Sequence, residues 1–147
     1  MLIVVSLYDR RVADEDLGAL FGRVVRRLMN AEQPVLREHG VSMWAYAALS
    51  SLAERPATSQ VALAKAIGYD KTRLIALLDE LAREGLVVRE PDPADRRAHV
   101  VRLTPAGKAR HAAIRAGIHA VETELLGPLS AAEQQAFRAM LARLASS

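Results

Sequence analysis

Asp92-Pro-Ala-Asp-Arg-Arg-Ala-His-Val-Val-Arg-Leu-Thr-Pro-Ala-Gly107 reads as a β-hairpin with a charged tip that runs straight into a helix. Asp92, Pro93 and Asp95 carry turn chemistry. Ala98 to Leu103 is rich in β-formers, and period two places His99, Val101 and Leu103 on one face. Thr104 stands where a helix cap is needed, and Pro105 follows at the first helical position, where a missing N–H costs nothing. The tip carries Arg96 and Arg97 beside Asp95. Two arginines on a projecting hairpin, just after a pair of helices, suit a wing that reaches along a DNA groove. In this reading Arg97 enters the minor groove, Asp95 holds its guanidinium through a charge-assisted bond, and Arg96 meets backbone phosphate.

The helix pair lies directly upstream. Thr58 is expected to cap a helix from Ser59 to Ile67, stopped by Gly68. Asp70 is expected to cap the next, from Lys71 to Glu84, stopped by Gly85. The intervening turn, Ile67-Gly68-Tyr69-Asp70, is short and contains a glycine, as a helix-turn-helix requires. Leu74, Leu77, Leu78 and Leu81 form the buried stripe of the second helix. Lys71, Thr72, Arg73 and Ala76 fall at its start, away from that stripe, where a recognition helix meets base edges. The Arg73 fork matches the two acceptors of guanine. Thr72 suits a base or a phosphate, Lys71 a phosphate, and Ala76 a thymine methyl. Thr58, at the head of the preceding helix, completes the candidate DNA-binding set with Asp95, Arg96 and Arg97. The acidic Asp79, Glu80 and Glu84 are expected to face away from the groove.

Outside this lobe the pattern is helical. Asp14 to about Asn30 is amphipathic, with Leu17, Leu20, Phe21, Val24, Val25, Leu28 and Met29 on one side. Pro34 is expected to interrupt or bend the chain beyond Asn30, and Gly40 to end that segment. Ser42 caps a helix to about Arg55, headed by Met43, Trp44 and Tyr46. Pro105 to about Leu126 is a long helix, broken at Gly127-Pro128. Ser130 and Glu133 form a capping box for a last helix with the stripe Phe137, Met140, Leu141 and Leu144. The small lobe leaves little to cover the stripes at Leu17, Leu20, Phe21 and Val24 and at Phe137 to Leu144, so a second copy of the chain is the expected cover. The fold class is therefore mainly α with a small β-hairpin wing. A winged helix-turn-helix at 41–104 is flanked by dimerisation helices at 13–40 and 105–147, with an arm at 1–12.

The hairpin and its helix start resemble the wing signature of the MarR (multiple-antibiotic-resistance regulator) family. The family's Asp-x-Arg followed by Val-x-Leu-Thr-x-x-Gly stands here as Asp95, Arg97, Val101, Leu103, Thr104 and Gly107. The resemblance extends over roughly 13–146. It implies a transcription regulator whose first helix and last two helices form the dimer. It also implies a small phenolic or aromatic acid lodged between those helices and the lobe. Met43, Tyr46 and Ala47 are the residues placed to line such a space, with an arginine of the first helix near the carboxylate, although an apolar stripe at helical spacing also reads as plain core. The recognition helix departs from the commonest family pattern, reading Thr72-Arg73 and then Ile75-Ala76, so no operator sequence carries over.

Composition narrows the alternatives. The 147 residues carry a net charge of +3, and the lobe itself is nearly balanced, so an argument for DNA rests on where the charges sit. With no cysteine in the chain, disulfides, thiolate metal sites and thiol redox sensing are excluded. The apolar opening Met1 to Tyr8 is too short for a membrane span and has the wrong layout for a signal peptide. A docked strand, a partner-swapped arm and an upstream start-codon artefact all remain open for it. His111 and His119 are eight apart, too far to chelate one metal from one helix face. No nucleophile elbow, phosphate loop or carboxylate dyad is visible. The expectation is a cytoplasmic, non-enzymatic, cofactor-free homodimer that binds a pseudo-palindromic duplex and represses in response to a ligand. The alternative is a winged-helix protein-interaction module with weak DNA binding, against which Arg73, Arg96 and Arg97 argue.

Overall fold

A computed structural model describes residues 15–55 and 58–146; the arm expected at 1–12 lies outside the described residues. The elements are α1 (Leu17–Glu38), α2 (Met43–Glu54), β1 (Thr58–Ser59), α3 (Gln60–Ile67), α4 (Lys71–Arg83), β2 (Val87–Pro91), β3 (His99–Leu103), α5 (Pro105–Leu125) and α6 (Ala131–Ala145).

Every described helix after α1 starts at a side-chain cap. Ser42 accepts from the Ala45 N–H at 3.0 Å, Ser59 from Ala62 at 3.1 Å and Asp70 from Arg73 at 2.9 Å. Thr104 accepts from Gly107 at 3.0 Å. At α6 the box is reciprocal, with Ser130 Oγ accepting from Glu133 N–H at 3.3 Å and Glu133 Oε2 from Ser130 N–H at 2.8 Å. Each such cap is worth about 1 kcal/mol. The cap of α3 is Ser59 rather than Thr58. Thr58 is drawn into β1, where it pairs with Val101, so this third strand is an element the local pattern did not announce.

A second departure concerns Pro34. Instead of an interruption, α1 runs unbroken through it to Glu38. The proline forfeits one helical hydrogen bond, but it sits on the exposed side. The same turns bury Leu36 in the core and set Val35 against Gly117 of α5, and this packing outweighs the lost bond.

The sheet is antiparallel in the order β1-β3-β2, in a register that sets Val87 opposite Leu103 and Pro91 opposite His99. Val101 and Leu103 point into the core as expected, whereas His99 is exposed, because the hairpin has run beyond the core by that point. Val100 on the other face is also buried. Leu49 and Leu52 of α2, Leu63 of α3, Leu74 and Leu78 of α4 and Ile114 of α5 meet in one core. Leu36 is the buried apolar residue that α1 adds to them, and no residue of α6 is buried. The helix-turn-helix corner is made by Gly68, whose φ of +66° lies in the left-handed region open to glycine. Trp44 of α2 stacks on Tyr69 of that corner, with ring centroids 4.3 Å apart.

The base of the wing is fastened at one carbonyl. Leu86 O accepts the Thr104 N–H at 3.0 Å, while Thr104 Oγ1 donates to Gly85 O at 2.6 Å. A Cβ at Gly107 would lie 1.9 Å from that same Leu86 oxygen. Propensity alone would make Gly107→Ala favourable inside a helix. The contact reverses the sign, so the variant is expected to lose about 1–3 kcal/mol, the usual cost of overpacking. A thermal or urea melt reads this directly, and an unchanged or raised midpoint would contradict so close an approach.

Candidate nucleic-acid interface

The recognition helix α4 presents its faces as its periodicity requires. Leu74, Leu78 and Leu81 are buried, while Lys71, Thr72, Arg73 and Ala76 are exposed at its start. The Asp70 carboxylate is turned onto the Arg73 backbone N–H. Further along, Arg89 of β2 donates to Asp79 Oδ1 at 2.6 Å and to the Ile75 carbonyl at 3.1 Å. That clamp ties α4 to the wing strand and engages the Asp79 carboxylate. Glu84 is held 3.9 Å from Arg110 of α5. Arg89 escaped the sequence reading, because only the fold brings it under α4.

The wing tip is built by carboxylates bonding backbone. Asp92 Oδ1 accepts the Ala94 N–H at 2.9 Å, and Asp95 Oδ1 accepts the Arg97 N–H at 2.9 Å. The expected bond from Asp95 to the Arg97 guanidinium is therefore replaced by an Asx turn. The short aspartate reaches the N–H two residues on without ordering a long side chain. The Arg96 and Arg97 side chains are exposed, and neither guanidinium has an intramolecular partner among the described residues.

The fold brings Lys71 of α4 and Arg97 of the wing to one cleft of about 280 Å³, lined also by Ser59, Gln60, Val61, Ala98 and His99. Thr58 stands beside it on β1, half-buried. Ser59, Gln60 and His99 were not singled out from sequence. From sequence, Ser59 reads only as the first helical residue after a Thr58 cap, and His99 only as a member of the face shared with Val101 and Leu103.

A second polar group gathers where α1, α2 and α5 meet. Tyr46 stacks on His111, with ring centroids 5.8 Å apart, and Ser50 Oγ lies 3.0 Å from His111 Nε2. Burial pushes the Tyr46 hydroxyl up, opposed by the Ser50 hydrogen bond and by the charge of Arg115. The cation acting on Tyr46 thus comes from α5. Burial and then Arg115 hold His111 below its usual range. Glu32 of α1 is buried, and its carboxyl is raised by burial first and by Glu122 of α5 second. Met43 and Tyr46 pack half-buried against the core, with Ala47 likewise half-buried. Among the described residues no cluster of three or more metal-ligating side chains occurs. No described helix is long and apolar enough to cross a membrane.

The outer helices keep apolar surface in the open. Leu17 is 71% exposed, Leu144 68% and Met140 53%, with Phe21 and Val24 also exposed. Leu20, Phe137 and Leu141 are half-buried within the chain. Phe137 lines a cleft with Val24 and Leu129, which brings α6 beside α1.

Residues 39–98 match the model of the MarR family. The transcriptional regulator HosA of Escherichia coli is 40% identical over 100 residues, which is 67% of this chain and 73% of HosA. The chain belongs to the MarR family. It spans between 63% and 73% of the length of the relatives matched by sequence. Structural likeness reaches further than the family model does. Apo MarR of E. coli superposes with a TM-score of 0.78 at 25% identity, covering 88% of this chain and 97% of MarR. BpsR of Bordetella bronchiseptica, whose structure concerns regulation of its DNA binding by 6-hydroxynicotinic acid, gives 0.78 at 26% identity over 90% and 95%. The model match covers the helix-turn-helix and the wing tip, and the structural neighbours add the flanking helices.

Glu32 allows a test of the helix junction. Its raised carboxyl binds a proton more strongly in the folded chain than in the unfolded one. The stability linked to it is complete below the usual value of 4.5 and is lost as pH rises through the raised value. Glu32→Gln should therefore melt at a higher temperature than the parent near neutral pH, with the gap closing on acidification toward 4.5. Thermal melts of both proteins across that range measure it, and identical curves at neutral pH would count against the burial.

Proposed function

We propose that this MarR-family chain is a sequence-specific, DNA-binding transcription repressor. In this reading it acts in the cytoplasm as a homodimer on a pseudo-palindromic operator. One observation carries it: among the described residues the cations at the start of α4 and at the wing tip are free, and Lys71 and Arg97 share one cleft. Arg73 is the base reader, through its fork. Thr72 and Ala76 are its neighbours on the groove face, and Thr58 borders the backbone. Arg97 enters the minor groove and Arg96 meets phosphate. Asp95 serves them by shaping the tip.

The test is duplex binding by anisotropy over a range of salt. Arg97→Ala should cost about 1–3 kcal/mol on a selected operator. Arg96→Ala should weaken all duplexes alike and lower the salt slope by about one. Asp95→Ala should lose affinity while Asp95→Asn keeps it, because an amide oxygen can still accept the Arg97 N–H. Parental affinity in all three alanine variants would refute a DNA-binding wing and favour a protein-interaction module.

The dimer is supported by the open apolar faces at Leu17, Phe21, Val24, Met140 and Leu144 and by the two-fold symmetry of such sites. Light scattering should give twice the chain mass of 16.0 kDa; a monomer at working concentration would contradict it. The effector is read as a small aromatic acid near Met43, Tyr46 and Ala47. The charge of Arg115 at Tyr46 and the 6-hydroxynicotinic acid of BpsR support that class.

A further inference from the structure

The ionisable groups around the cleft between α3, α4 and the wing divide by sign in a particular way. Every nearby carboxylate is engaged. Asp70 of α4 bonds the Arg73 N–H, Asp92 the Ala94 N–H and Asp95 the Arg97 N–H. Glu90 of β2 pairs with Arg102 at 3.3 Å. The basic groups lining the cleft are all free. Among the described residues no side-chain partner exists for Lys71, Arg97 or His99. Gln60, the lining residue that opens α3, adds an uncharged amide. A cavity of about 280 Å³, walled by two fixed cations and an imidazole with the acids turned away, is a receptor for a compact anion. His99 stands at the outer end of β3, opposite Pro91, where the hairpin has left the core and the ring is open to solvent.

We propose that this cleft seats one backbone phosphate of the bound duplex, gripped by Lys71 from the helix-turn-helix side and by His99 from the wing side, while Arg97 at the same cleft adds positive charge on its way into the minor groove. His99 then makes DNA affinity pH-dependent. This rests on the reading of the chain as a DNA-binding protein and adds a contact to it. Imidazole is the side chain that gains a charge between about pH 5 and 8, and a phosphodiester stabilises the charged form. The complex therefore takes up a proton as it forms, and affinity rises as pH falls. His99 belongs to the clamp as a binding residue whose grip is set by its charge.

The experiment measures anisotropy of a labelled duplex with the full chain at about pH 6 and about pH 7.5, at fixed ionic strength. The parent should bind about threefold to tenfold more tightly at the lower pH, with a salt slope steeper there by up to about one. His99→Gln should abolish both differences, because its amide carries no charge at either pH. The exposed position of His99 lets the fold tolerate the change, and a melt checks that it does. His39, His111 and His119 are present in both proteins, so the contrast isolates His99. The same pH dependence in His99→Gln as in the parent would overturn the proposal. So would a parent slope that ignores pH. Calorimetry with inorganic phosphate alone should show no saturable binding at millimolar concentration, and tight binding would reassign the cleft to the free anion. A parent that binds no duplex at either pH would bring down the DNA-binding reading itself, whereas pH-independent duplex binding would leave that reading standing and remove only the role of His99.

Discussion

The carbonyl of Leu86 is the point on which the lobe turns. It lies just past the end of α4, accepts the Thr104 N–H and leaves no room for a side chain at position 107. Three elements are thereby fixed against one another: the exit of the recognition helix, the return strand of the wing and the first turn of α5. Thr104 completes the join with a single hydroxyl, which donates to Gly85 O and accepts from Gly107 N–H. The spacing Leu103, Thr104, Gly107 is thus the sequence trace of a packing constraint. The threonine supplies two bonds, and the glycine supplies the absence of a Cβ.

Local chemistry was legible in the sequence and tertiary choice was not. The caps at Ser42, Asp70, Thr104 and Ser130 and the buried stripe of α4 could be read because each depends on residues a few positions apart. For the same reason the exposure of Lys71, Thr72, Arg73, Arg96 and Arg97 followed from periodicity and turn chemistry. The strand at Thr58 depends on an edge of β3 more than forty residues away, and nothing near Thr58 signals it. Pro34 reads locally as a breaker, yet the burial of Leu36 two residues later outweighs it. At Asp95 the sequence correctly placed an anion beside a cation, but the backbone N–H was the nearer and cheaper donor. The cleft at Lys71 and Arg97 draws on α3, α4 and the wing at once, so no single stretch could display it.

The lobe reconciles a nearly neutral charge count with a basic face by directing its acids. Asp70, Asp92 and Asp95 cap backbone, Asp79 holds Arg89, and Glu84 leans toward Arg110. Carboxylates used in this way stabilise helix starts and turns while their fields are neutralised locally. Cations without such duties stay in solvent. Net charge says little about such a surface, whereas the hydrogen-bond partners of the acids define it.

The 21 residues of α5 make a rod about 32 Å long at 1.5 Å per residue. Its near end is welded to the wing through Leu86, and its far end turns directly into α6, which contributes nothing to the core. A stiff rod held this way is a lever arm. A tilt of about 5° displaces the far end of such a rod by about 3 Å. Whatever covers the apolar face of α6 therefore meets the lobe at the far end of that rod, about 32 Å from the base of the wing.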